Sequence, residues 1–285
     1  MYYRVSKVAK AGDCKRMTAE TNVPSFDQRA TLTFFGCRPD EIAPYVILAV
    51  RDPLGFSLDA AEYIARSLSN ARKVGDTGMY VVYSGDFKGT PLTVVSTGTG
   101  SPDTELALME ILMHTKVDAV VRVGTSGSLQ RHILVGDIVI SKACVRSEGA
   151  SKEYVDVSYP AVADPDLVIC LREAAAELGV RFHVGITRSN DSMFCGLGRA
   201  AVNGYLQEDH KNIIGYWSKA GVANVEREAS VILTLTSLFG VRGGAVCSVV
   251  DNYLTGDISL GAGVDNAVSV ALLGLHRLHA MLERG

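Results

Sequence analysis

The chain has 285 residues, 47% of them hydrophobic and 21% charged, with a net charge of −3. That is enough to bury a large core, as one α/β domain or two smaller ones, and charges scattered without a basic stripe argue against nucleic-acid binding. The six cysteines, at 14, 37, 144, 170, 195 and 247, form no C-x-x-C pair, which argues against both a zinc site and a disulfide framework.

The first 40 residues are polar and turn-prone, without the apolar core of a signal peptide. They read as an N-terminal arm ahead of one domain over residues 41–285. No apolar run is long enough to span a bilayer, so the expectation is a soluble cytoplasmic protein that does not engage a membrane.

From there strand-like and helix-like segments alternate. Pro44–Val50 reads as a buried strand and Ser57–Leu68 as a helix. Met79–Ser84 and Pro91–Ser96 read as a strand pair around Gly85–Gly89. Thr97-Gly98-Thr99-Gly100 then leads to Ser101-Pro102, read as an N-cap and first helical position, with a helix through Met113. Further strands are expected at Ala119–Val123, Asp137–Ser141, His183–Arg188, Val222–Glu226 and Gly244–Val250. Helices are expected at Asp166–Leu178, Arg227–Phe239 and Val264–Leu282, the last with apolar residues at helical spacing. With no internal repeat or linker, one mixed α/β domain is the simplest account.

Several segments carry candidate chemistry. Gly98-Thr99-Gly100 and Gly124-Thr125-Ser126-Gly127 each follow a strand, and Arg122 enters the second. Ligands of open α/β sheets sit at that edge; glycines admit backbone amides to an oxyanion, and arginine offers a planar charged fork. The same glycines also fit ordinary turns. Asn224-Val225-Glu226-Arg227-Glu228 puts two carboxylates at a strand end. They suit paired hydroxyls, and equally the first turn of a helix. Asp251, after the strand ending at Val250, is a candidate proton donor if burial raises its pKa, or else a turn former. Gly196-Leu197-Gly198-Arg199-Ala200-Ala201 matches G-x-G-x-x-A but lacks the strand before it and the acidic residue after it, so it is not read as a dinucleotide site. None of the histidines shows metal-ligand spacing.

Taken in order, Ser96–Pro102, Val121–Gln130, Val135–Val139, Val145–Ser151, Tyr159–Asp164, Asn190–Ser192 and Asn224–Ser230 resemble the nucleoside phosphorylases of the hexameric purine and uridine type, uridine phosphorylase most of all. The resemblance implies a single-domain α/β fold with a twisted central mixed sheet flanked by helices. It implies phosphorolysis of a nucleoside to free base and ribose 1-phosphate, with no cofactor besides phosphate as co-substrate. It also implies a homo-oligomer of site-sharing dimers, assembled as a trimer of dimers.

By resemblance, Arg122 and Thr125 hold phosphate and sugar, and Glu228 grips the ribose hydroxyls with Arg227 beside it. Met193, Phe194 and Gly127 pack on the base, and Arg199 faces a base oxygen. Several positions depart from the uridine phosphorylase pattern: besides those that follow, the arginine expected soon after Pro53, one near Asp76–Met79 and an N-terminal histidine have no counterpart. Arg51 replaces a phosphate-site glycine and is a candidate anion ligand, or else fills the phosphate pocket. Leu197 stands where uridine phosphorylases carry a uracil-reading glutamine, and Arg227 where they carry methionine. Asp251 falls where purine-specific members keep their acid, which makes Arg122 and Asp251 the candidate catalytic pair. Phosphate-independent hydrolysis of a purine or pyrimidine nucleoside, and a catalytically silent nucleoside-binding protein, are the alternative readings.

Overall fold

A computed structural model describes residues 31–284. Residues 1–30, most of the expected arm, lie outside the described residues. Residues 31–40 pack on the domain, where Leu32, Phe35 and Cys37 are buried.

Ten strands among the described residues form one mixed sheet: β1 (Tyr45–Val50), β2 (Ser69–Asp76), β3 (Val81–Phe87), β4 (Thr90–Thr97), β5 (Ala119–Ser128), β6 (Ile138–Ser147), β7 (Ala161–Val162), β8 (Phe182–Asn190), β9 (Val222–Glu226) and β10 (Arg242–Asn252). β2, β3, β4, β1 and β5 run in that spatial order. β5 pairs with both β9 and β10, so that β5, β10, β6, β8 and β9 close into a ring.

The central strands read as continuous apolar runs because both sheet faces are covered. Alternate residues of β1 divide between two cores: Tyr45, Ile47 and Ala49 face one, Val46 and Leu48 the other. The first core is built with α1 (Ala60–Ala65), α3 (Pro165–Glu177) and α7 (Val264–Leu282). The second is built with α2 (Ser101–His114) and α6 (Ala229–Leu238). The short helices α4 (Glu208–Lys211) and α5 (Ile213–Lys219) lie between β8 and β9. The strand period of two sends Ala119, Val121 and Val123 of β5 to the first core. Val120, and with it Arg122, faces the second.

Several sequence expectations change. The stretch from Gly124 to Ser128 is no loop; it continues β5, paired residue by residue with β10. The cap of α2 is Gly100, at φ 104°, and Ser101 lies inside the helix with its hydroxyl on the Arg227 carbonyl at 2.5 Å. α1 starts later than Ser57 because Asp59 caps it, accepting the Ala61 and Glu62 amides, and past Ala65 the chain goes on in i→i+3 turns from Ser67 to Ile64 and Leu68 to Ala65. β2 was not expected: it is a largely exposed edge strand of polar residues, with no apolar alternation to betray it. The β3–β4 hairpin turns tightly at Lys88 and Gly89, both at positive φ.

Candidate functional site

A cavity of about 280 Å³ opens at the carboxyl ends of β1, β8, β9 and β10, over the second half of β5. Its lining includes Arg122, Thr125, Gly127, Met193, Arg199, Arg227, Glu228 and Asp251. Eight of the ten residues singled out from the sequence therefore share one wall system. Arg51 and Phe194 lie outside it. Arg51 turns to the Gly78 carbonyl at 3.1 Å and to Asp59 at 3.7 Å, while Phe194 is 61% exposed.

At the floor, Arg122 is buried among carboxylates. Its Nη2 donates to Glu228 Oε2 at 2.5 Å, its Nε lies 2.8 Å from Glu226 Oε2, and its Nη1 donates to Cys247 Sγ at 2.7 Å. Burial alone would lower the arginine's pKa. The Cys247 sulfur and the Glu226 and Glu228 carboxylates reverse that effect, and the pKa is raised well above its ordinary value. Burial pushes the Cys247 thiol up to about 12, so it meets the guanidinium as a neutral sulfur acceptor.

The two carboxylates of the strand-end motif have different tasks. Glu226 faces inward: Oε1 accepts the Ser189 hydroxyl, and Oε2 accepts the Glu228 and Ala229 amides at 2.8 and 2.9 Å. It fastens the start of α6 and fixes the orientation of Arg122 together. Its own pKa is raised, by burial and by Glu228, with Arg122 opposing. Glu228 lines the cavity, and among the described residues it accepts, besides Arg122, only the Gly100 amide, at 2.7 Å. The expected glycine anion cradle is thus occupied by the protein's own acids, since the Gly98 amide donates to Asp103 Oδ2 at 2.5 Å. The Thr125 hydroxyl is likewise held by Asp52 Oδ2, at 2.5 Å.

The opposite end of the cavity combines apolar and polar groups. A bulge in β10 between Val249 and Asp251 sets Asp251 against Gly127. Gly127 must be glycine: a Cβ there would stand 2.2 Å from Tyr253 Cε2 and 2.6 Å from Asp251 Oδ1. Arg199 lies over the Tyr253 ring, 5.3 Å from its centroid, and 3.9 Å from Asp251 Oδ2. Burial raises the Asp251 pKa against the pull of Arg199 and a hydrogen bond from Tyr253. The Tyr253 hydroxyl is pushed up to about 12, by burial and then by Asp251. Leu197 and Val225 supply buried apolar wall. The G-x-G-x-x-A stretch forms a single turn of 3-10 helix, Cys195–Leu197, closed by Gly198 at φ 72°, and begins no long helix.

The sequence of the chain matches a known family model. The model of the phosphorylase superfamily covers residues 48–280. The chain belongs to that superfamily. Among its relatives, the uridine phosphorylase of Thermococcus kodakarensis is 41% identical over 235 residues, 82% of each chain. The uridine phosphorylase of Haemophilus influenzae is 34% identical over 76% of this chain and 88% of that one. That of Escherichia coli is 34% identical over 68% of this chain and 77% of that one. The mixed sheet flanked by helices is the fold expected of a phosphorylase-superfamily member.

Sequence reasoning missed Cys247, Asp52 as a partner of Thr125, and the inward role of Glu226. Only Glu226 carried a signal: two residues before Glu228 at a strand end, it is placed to cap the following helix.

Proposed function

We propose that the chain catalyses phosphorolysis of a nucleoside, with uridine the first substrate to test. The reading rests on one observation: Arg122 and Glu228 meet in a single cavity. A permanently charged fork suits phosphate, and a carboxylate with few other partners suits the paired hydroxyls of ribose.

On this reading a phosphate oxygen, held by Arg122 and Thr125, bonds to C1′ as the C1′–N bond breaks. The electron pair of that bond leaves with the base, which is then protonated. The transition state resembles an oxocarbenium ion, and anions fixed beneath C1′ stabilise it. Glu228 grips the ribose hydroxyls beside Arg227. Met193, Gly127 and Arg199 frame the base, and Asp251, kept protonated more readily by burial, stands where the base departs. Arg51 has buried Nε and Nη2 atoms without a hydrogen-bond partner, Nε having only the 3.7 Å ion pair with Asp59, which supports a role for it as an anion ligand at the margin of the site, after a change of rotamer. Phe194 joins the base only if its loop closes over the cavity. The reaction needs phosphate as co-substrate and no other cofactor.

Leu54, Met193, Ile258 and Leu260 are exposed yet line the cavity, which supports a second copy of the chain covering it. We assign a homodimer, assembled further to a hexamer, acting in nucleoside salvage in the cytoplasm. Among the described residues no helix is long and apolar enough to cross a membrane, and the described cysteines are unpaired; both fit that place.

The test is release of uracil from uridine, alongside a panel of other nucleosides, with and without phosphate. Release that rises with phosphate and yields ribose 1-phosphate is expected. Equal release without phosphate would replace phosphorolysis by hydrolysis, and ligand binding without turnover would make the chain a silent binder.

A further inference from the structure

Arg188, in β8, stands behind the wall that frames the base. It is 5% exposed, and its guanidinium donates to the Gly196 carbonyl at 2.8 Å, Asn190 Oδ1 at 3.0 Å and Ser147 Oγ at 3.2 Å. All three acceptors are neutral, and among the described residues no carboxylate lies within ion-pair distance of it. Its flat face covers the Trp217 ring, 5.4 Å from the centroid. Trp217 packs against the buried cluster that includes Leu197 and Val225, which line the cavity, and Asn190 lines it too. Arg188 therefore sits one residue-layer from the cavity.

A buried cation without a counter-ion is costly, and burial lowers its pKa to about 10, which still leaves it charged at neutral pH. The contrast with Arg122, held by two carboxylates, is direct. Two neutral hydrogen bonds, to Asn190 and Gly196, would tie down the loop from Asn190 to Arg199 equally well from an uncharged donor. What the charge adds is a positive potential behind the base, in surroundings that water screens poorly.

We infer that Arg188 is a positioning residue for the base-binding loop whose unneutralised charge stabilises the negative charge that develops on the departing base. This rests on the phosphorolysis reading above. When the C1′–N bond breaks, its electron pair goes to the base ring as the phosphate oxygen bonds to C1′. The base then takes its proton from Asp251 or water. Arg188 neither gains nor loses a proton; it lowers the energy of the anion while it exists.

The experiment compares kcat for uridine and 5-fluorouridine, whose base is the more acidic and better leaving group, at saturating phosphate. Wild type, Arg188→Met and Arg188→Lys are measured, with thermal unfolding as the check on folding. Arg188→Met should lower kcat for uridine about tenfold. The loss for 5-fluorouridine should be about threefold smaller, because a better leaving group leans less on the field. Arg188→Lys should restore the wild-type ratio of the two substrates. Equal losses for both substrates, or a rise in KM alone, would reduce Arg188 to a structural tie and overturn the inference. Should Arg188→Met not fold, Arg188→Gln keeps an amide donor, drops the charge and is read the same way. Wild-type protein that cleaves neither nucleoside with phosphate would overturn the functional reading itself, and this inference with it.

Discussion

Arg122 and Glu228 are 106 residues apart in the chain and joined by a 2.5 Å bond, Nη2 to Oε2, at the floor of the cavity. There the cation proposed for phosphate and the anion proposed for ribose satisfy each other. Phosphate and ribose together can replace that bond with one partner for each. Glu226 keeps the guanidinium in place meanwhile, because two backbone amides and the Ser189 hydroxyl fix it.

Arg122→Lys keeps a cation for the two carboxylates but loses the planar fork. It should fold, and kcat/KM should fall about a hundredfold, with most of the effect seen in the dependence on phosphate concentration. Arg122→Ala should in addition destabilise the fold by about 3–5 kcal/mol, since it leaves Glu226 and Glu228 buried without their cation. Steady-state kinetics and thermal unfolding separate the two effects; near-normal turnover in either variant would remove Arg122 from the site.

Glu228→Gln removes the charge and keeps the shape. The nucleoside KM should rise about tenfold, equivalent to ~1.4 kcal/mol, because a charge-assisted hydrogen bond to the sugar becomes a neutral one. The half-saturating phosphate concentration should not rise, since the competitor for Arg122 is weakened. A variant that loses phosphate affinity and keeps nucleoside affinity would reverse the assigned roles.

Much of this was legible before any coordinates. β9 and α7 fall on their expected bounds because a glycine, Gly221 or Gly263, stands just before each, and α7 carries apolar residues at helical spacing. Arg122, Glu228 and Asp251 are assigned to one site through the family resemblance, and all three line one cavity. What the sequence hid depends on long-range pairing. Gly124 and Gly127 look like a turn, yet they are glycine because the Arg122 guanidinium, Tyr253 and Asp251 close over the strand where a Cβ would sit. Arg188 gave no signal, since only the fold brings Trp217 and the Gly196 carbonyl around it.

Asp251 should impose a pH limb on the reaction. Its folded pKa is raised, so as a proton donor it is active at low pH and lost as pH rises through that raised value. Wild-type kcat should fall on that side, and Asp251→Asn should be slower with the limb flattened. The sign for stability is parallel. The contribution is full below the ordinary carboxyl pKa and lost as pH rises through the folded one, so Asp251→Asn should be the less pH-sensitive protein in thermal unfolding. Identical pH profiles for both proteins would exclude this proton.

Gly127→Ala tests the close approach at the base end. The added Cβ meets Tyr253 and Asp251, so the variant should lose about 1–3 kcal/mol of stability and a larger share of its activity than a remote change of equal cost. Unchanged unfolding temperature and turnover would show that the two side chains move aside freely.

The decisive measurement is a crystal structure of the protein with ribose 1-phosphate. The phosphate should lie within hydrogen-bond distance of Arg122, and the 2′- and 3′-hydroxyls should bond to Glu228, with the Arg122–Glu228 bond opened between them. A ligand bound with that bond intact, or with its phosphate away from Arg122, would contradict the account.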